Sequence, residues 1–108
     1  MILGVLYIFT GIVLILVCIP LLHDRVKPNA FYGMRLKKAF ESEENWYKIN
    51  RRGAQLFIGW GGILMGLGVP LFFVPIARDG LLSTILIFVP LIVALLATWQ
   101  LLRYAKTL

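Results

Sequence analysis

Polar and apolar positions separate into long blocks along this chain. Residues 1–22, 53–77 and 81–102 contain no Asp, Glu, Lys or Arg, and the blocks are 22, 25 and 22 residues long. A helix needs roughly 20 apolar residues to cross a hydrocarbon core of about 30 Å. The pattern therefore predicts three transmembrane helices, joined by a polar loop over residues 23–52 and a short connection at Arg78-Asp79-Gly80. The expected fold class is an all-α integral membrane protein, with a single membrane domain over residues 1–108.

The loop has internal order of its own. Ser42 is a good helix N-cap, and Glu43 and Glu44 follow it where the helix dipole favours negative charge. Trp46, Ile49 and Gly53 then recur at the spacing of one helix face. No proline separates this segment from the second span, so a helix from about Glu43 either lies at the interface or runs straight into the membrane. Pro20 sits near the end of the first span and Pro90 near the middle of the third. Pro70 and Pro75 predict a kink or an early end in the second. Asp79-Gly80 suits a tight turn, which makes spans two and three an antiparallel hairpin.

Composition narrows the class. The chain is 60% hydrophobic and 15% charged, against about 25% charged in soluble domains. The first block lacks a basic leading region and a small-residue cleavage pattern, so it reads as a retained helix rather than a signal peptide. The single cysteine, Cys18, allows no disulfide within the chain and reads as a small packing residue.

Charge sets the expected orientation. The loop holds eight Lys/Arg and four Asp/Glu, the C-terminal tail adds Arg103 and Lys106, and the short connection has one Lys/Arg, Arg78. Basic residues accumulate on the cytoplasmic side. The loop and the C-terminus are expected inside and the N-terminus outside. Lys37, Lys38, Arg51 and Arg52 are expected at lipid headgroups, which are nearer partners than nucleic acid for basic groups held against a membrane. Trp46 and Tyr47 fit an interfacial aromatic belt. Gly59, Gly62 and Gly66 share one face of the second span. Such faces let helices approach closely, either in a dimer seam or against the other spans of the same chain.

No catalytic set is visible. His23 is the only histidine. His23 and Asp24 with Glu41, Glu43 or Glu44 form no recognised metal-ligand spacing, and Ser42, Ser83 and Thr84 have no base partner. The spans contain no ionisable acid or base for a proton or ion path. A non-catalytic protein without cofactor or metal is expected. The segment from Pro28 to Arg35 is the most specific polar feature. Pro28 fixes its own backbone, Asn29 can bond to nearby backbone, and Gly33 permits an unusual φ. Arg35 offers a planar fork of donors, and Phe31 and Tyr32 can dip into the interface beside it. Arg35 either binds a partner or ties the loop to its own chain.

The pattern Pro28-Asn29-x-x-x-Gly33-x-Arg35, an acidic, serine-containing stretch, and Trp46-x-x-x-Asn50-x-x-Gly53 leading into a glycine-rich span resembles the SdpI family of bacterial membrane proteins. The resemblance runs from about Ile12 to Leu71. It implies a bacterial cytoplasmic-membrane protein that is not an enzyme. The family's named member gives immunity to a secreted toxic peptide. It also holds a transcriptional repressor at the cytoplasmic face, and it has further spans ahead of the shared region. The expected function is immunity to, or sensing of, such a peptide, with the loop engaging a protein, peptide or lipid partner. The alternative is a small accessory subunit of a larger membrane complex, with homo- or hetero-oligomers as its form.

Overall fold

The computed structural model describes residues 2–75 and 80–108, and among these the regular structure is helical with no strand. Three long helices, α1 (Ile2–Leu22), α2 (Glu43–Phe73) and α3 (Leu81–Ala105), are accompanied by one short 3-10 turn, Lys37–Glu41. All three are long and apolar enough to cross a membrane. The turn expected at Asp79-Gly80 lies partly outside the described residues.

The helix expected from about Glu43 takes the second of its two courses. It runs unbroken into the membrane span as the 31-residue α2. At 1.5 Å per residue such a helix is about 46 Å long, in keeping with a molecule 49 Å in its longest dimension. A hydrocarbon core of about 30 Å leaves the charged first turns of α2 outside it. Pro70 lies within α2 without breaking it, and the helix ends at Phe73, one residue before the Val74 cap.

Helices α1 and α2 pack antiparallel along a seam of small residues. A Cβ on Gly11 would lie 2.4 Å from the Gly61 carbonyl oxygen, and one on Gly4 would lie 2.4 Å from the Phe72 backbone nitrogen. A Cβ on Gly68 would meet the Gly4 carbonyl at 3.1 Å. Cys18, Leu21 and Ala54 continue the contact toward the loop. The seam repeats every seven residues on both sides: Gly4, Gly11 and Cys18 on α1, and Ala54, Gly61 and Gly68 on α2. A seven-residue step keeps residues on one helix face. Backbones come this close in a membrane only where side chains are minimal.

Of the two courses expected for the other glycine face, packing against the chain's own spans is the one the structure does not take. Gly59, Gly62 and Gly66 have open space where a Cβ would sit. They do not pack against the other spans. They point away from the seam, because Gly61 and Gly68 occupy the inner face and their neighbours are rotated off it.

Helix α3 is tied to the pair at two polar points. Tyr7 is buried, and its hydroxyl donates to the Leu86 carbonyl at 2.6 Å. That carbonyl lies four residues before Pro90, which has no N–H to donate back. Tyr7 thus satisfies an acceptor that Pro90 leaves open, in a medium without water to do so. Nearer the loop, Trp60 Nε1 donates to Gln100 Oε1 at 3.0 Å. Tyr7→Phe is expected to cost about 1 kcal/mol, the usual scale for hydrogen bonds between membrane helices. The cost should shrink in a Pro90→Ala background, where the new alanine supplies the missing donor. Unfolding of the four variants in detergent measures it. An unchanged cost in both backgrounds would show that Tyr7 does not serve the Pro90 defect.

Candidate functional site

The polar loop does not hang free from the bundle. It folds back against the first turns of α2 and the end of α3. Helix α1 ends in a Schellman closure, with Arg25 N–H bonding to the Pro20 carbonyl at 3.0 Å and Asp24 N–H to the Leu21 carbonyl at 3.4 Å. Asp24 sits in the left-handed region, φ 56°, which aspartate tolerates better than most residues. Its carboxylate receives Arg51 of α2 through both Nε and a terminal nitrogen. Arg51 is therefore an ion-pair partner to the end of α1. The hydrogen bond and charge of Asp24 raise the Arg51 pKa further.

Beyond Arg25 the chain makes an Asn29-centred turn. Asn29 Oδ1 accepts from the backbone N–H of Phe31 at 2.8 Å and of Tyr32 at 2.6 Å, while Nδ2 donates to the Lys27 carbonyl at 2.7 Å. Pro28 lies inside the span that Asn29 bridges. Arg35 closes the turn from the other side, one terminal nitrogen donating to the Ala30 carbonyl at 2.6 Å. This is the structural role weighed for Arg35, which is itself an exposed residue. The Tyr32 hydroxyl reaches back to the Val17 carbonyl on α1.

Two residues of α2 lock this turn in place. Asn50 is 2% exposed; its Oδ1 accepts from the Met34 N–H at 2.5 Å and its Nδ2 donates to the Trp46 carbonyl at 2.9 Å. Trp46 donates from Nε1 to the Val26 carbonyl at 2.9 Å. Its ring is wholly buried in a small core with Ala39, Ile49, Leu101 and Ala105. The belt position expected for Trp46 is thus corrected. The loop and α3 cover the ring, and its N–H is used inside the protein.

The motif glycines explain themselves by contact. Gly33 has φ 116°, and a Cβ there would meet Asn50 Oδ1 at 2.8 Å and the Trp46 ring at 3.1 Å. Gly53 faces Met34, at 2.9 Å, and Leu101 of α3, at 3.2 Å. Asn29, Gly33, Arg35, Trp46, Asn50 and Gly53 therefore belong to one clasp, and Pro28 sits at its rim.

The start of α2 completes the frame. Ser42 Oγ accepts from the Asn45 N–H at 3.0 Å, as its N-cap role requires, and Asn45 Nδ2 reaches the Lys38 carbonyl at 3.3 Å. Three acids of the loop end are each engaged by a cation. Asp24 has Arg51, Glu41 has Lys38 at 3.3 Å, and Glu44 has Lys48 at 2.7 Å. The Lys48 hydrogen bond holds the Glu44 carboxyl below its ordinary pKa and raises that of Lys48. Of the four basic residues expected at headgroups, Arg52 donates to Gln55 at 3.3 Å and Lys37 is exposed.

The clasp leaves its tip uncovered. Phe31 is 95% exposed although its N–H is fixed by Asn29. Sequence reasoning did not single out Tyr7, Met34 or the Ala54–Gly61–Gly68 row. Only the last had a usable signal, since it repeats the seven-residue spacing of Gly4 and Gly11.

Comparison with curated proteins and with solved structures gives no match. The clasp nevertheless joins the residues that carried the family resemblance into one structural unit, made from the loop, α2 and the end of α3. The matching family model covers the loop and α2 parts of that unit, over residues 25–100, beginning beyond the expected Ile12 and running through most of α3 instead of stopping at Leu71. With more than half of its length matched, the chain belongs to the SdpI/YfhL protein family.

Proposed function

We propose that this protein is a non-catalytic membrane receptor of the immunity type, whose clasped loop is a recognition element for a protein or peptide. The observation that carries the reading is the combination of a fixed backbone with an uncovered tip. Phe31 is almost fully exposed, Arg35 beside it keeps unused donors, and the turn bearing both is anchored to α2 by Asn50 and Trp46. Holding an apolar ring and a guanidinium in a set arrangement lowers the ordering cost of binding. The loop end lies in the bacterial cytoplasm under this reading, as its excess of Lys and Arg favours.

The test is expression in a sensitive bacterium with a reporter active only in the cytoplasm, fused after Leu108. Reporter activity and raised survival against membrane-depolarising peptides are expected. Arg35→Ala should reduce that protection more than Lys37→Ala or Lys38→Ala. Unchanged survival across such peptides would sink the immunity reading, and equal loss from all three variants would leave only bulk charge at work.

One observation favours the accessory-subunit alternative. Gly59, Gly62 and Gly66 form a small-residue face turned outward from the bundle. Native mass spectrometry after gentle extraction separates the two. A stable heteromer favours the accessory role, and a monomer or homodimer favours the receptor.

A further inference from the structure

Two basic grooves flank the loop end of the bundle, and they differ in how much of their charge is spent. One, of about 460 Å³, is lined by Lys48, Arg51, Arg52, Gln55 and Tyr104. Lys48 is paired with Glu44 and Arg51 with Asp24, and Arg52 reaches Gln55. The other, of about 590 Å³, lies between the Lys37–Glu41 turn and the end of α3. It brings together Lys37, Lys38, Arg103 and Lys106 over a floor that includes Trp99 and Leu102. Of these four cations, only Lys38 has an acidic partner among the described residues, Glu41. Arg103 lies over the Trp99 ring, 5.0 Å from its centroid. Within the described structure, the other three cations stand unneutralised around an apolar floor.

We infer that this second groove binds the headgroup phosphate of an anionic phospholipid, with the acyl chains running along α3. Charge complementarity selects the headgroup, and basic pockets beside membrane helices are suited to it. The floor selects a lipid over a soluble phosphate. From Trp99 an exposed apolar stripe, Leu95 and Leu91, continues at helical spacing into the membrane span. Trp99 stands where the polar and apolar parts of such a ligand meet, the position its amphipathic ring favours. Arg103, held over that ring, presents its guanidinium to the phosphate. This inference rests on the membrane fold and the groove, and is independent of the immunity reading.

The experiment is native mass spectrometry of the full chain from micelles holding equal amounts of phosphatidylglycerol and phosphatidylcholine. Phosphatidylglycerol should be retained preferentially. Arg103→Gln with Lys106→Gln should lower that preference by up to about 30-fold, given the usual contribution of each basic residue at a membrane surface. Lys37→Gln with Lys38→Gln should act in the same direction from the opposite wall but more weakly, because Lys38 is already paired with Glu41. Lys48→Gln with Arg51→Gln removes equal charge from the other groove and should lower the preference less than either of these pairs, because each of those cations already faces an acid of the chain, Glu44 and Asp24. Helical content and thermal unfolding of each variant establish that it is folded. Equal losses from all three pairs would overturn the site in favour of diffuse attraction. Displacement of the lipid by millimolar glycerol 3-phosphate would overturn the lipid assignment in favour of a free phosphate ester.

Discussion

Replacing Asn50 with alanine is expected to release the loop while leaving the three helices in the membrane. Asn50 is a buried side chain whose two ends serve different elements: Oδ1 holds the Met34 N–H of the loop and Nδ2 holds the Trp46 carbonyl of its own helix. Alanine leaves the Met34 N–H without its acceptor beside a buried core. An unsatisfied buried donor costs about 1–3 kcal/mol, which shifts a local opening equilibrium by about 5- to 160-fold. The helices lose little, because the α1–α2 seam lies elsewhere. Limited trypsin digestion in detergent reads the opening at Arg35, Lys37 and Lys38, and cleavage there should accelerate by about 30-fold at most of these bonds. Gly33→Ala should do the same by another route, since its Cβ would press on Asn50 Oδ1 at 2.8 Å while its φ stays at 116°. Asn45→Ala is the matched control, as that side chain makes only a longer bond of 3.3 Å to the Lys38 carbonyl. Cleavage rates unchanged in Asn50→Ala would mean that the clasp does not hold the loop.

The loop was legible in sequence because its signals are local. Ser42 caps the helix that follows it, and Asn29 bonds to backbone two and three residues on. Those interactions are set by residue type and short spacing. The three spans were legible from charge-free length alone. What sequence could not give was facing. Trp46 has the look of an interface anchor, and only the return of the loop over it shows that its indole is sealed inside. The α2 glycines pose the same problem more sharply. Six positions from Gly53 to Gly68 offer several overlapping small-residue faces, and the short Gly62-x-x-x-Gly66 spacing marks one that the described residues of this chain do not fill. The partner helix decides between them. Gly4 and Gly11 are seven apart, so their antiparallel mate must also step by seven; Gly59 with Gly66 and Gly61 with Gly68 both do, and only the packing shows that the second pair faces α1. Arg51 shows the limit for charge. Its bond to Asp24 spans 27 positions along the chain, and nothing in the loop composition distinguishes it from Arg52.

That choice of face gives the second large expected effect. Gly11→Ala should destabilise the bundle, whereas Gly62→Ala and Gly66→Ala should leave it unchanged or strengthen it. A Cβ on Gly11 would lie 2.4 Å from the Gly61 carbonyl oxygen and 2.5 Å from Met65 Cγ. Met65 can rotate, but the carbonyl is helix backbone and cannot give without moving α2. Overpacking of this kind costs about 1–3 kcal/mol. In lipid no hydrophobic force between helices compensates for the separation, because the tails are as apolar as the side chains. A Cβ on Gly62 or Gly66 would meet nothing within 4 Å among the described residues. An alanine there gains about 0.8–1.0 kcal/mol of helix propensity without a clash. The two sets therefore differ in sign, which a general sensitivity of glycines in α2 would not produce. Thermal unfolding in detergent measures the bundle, and cross-linking in the intact membrane measures lateral association. If the outward face serves a second chain, Gly62→Leu and Gly66→Leu should abolish cross-linking while the unfolding temperature holds. Destabilisation of the isolated bundle by Gly62→Ala, to the same extent as by Gly11→Ala, would refute the assignment of the seam to Gly4, Gly11, Gly61 and Gly68.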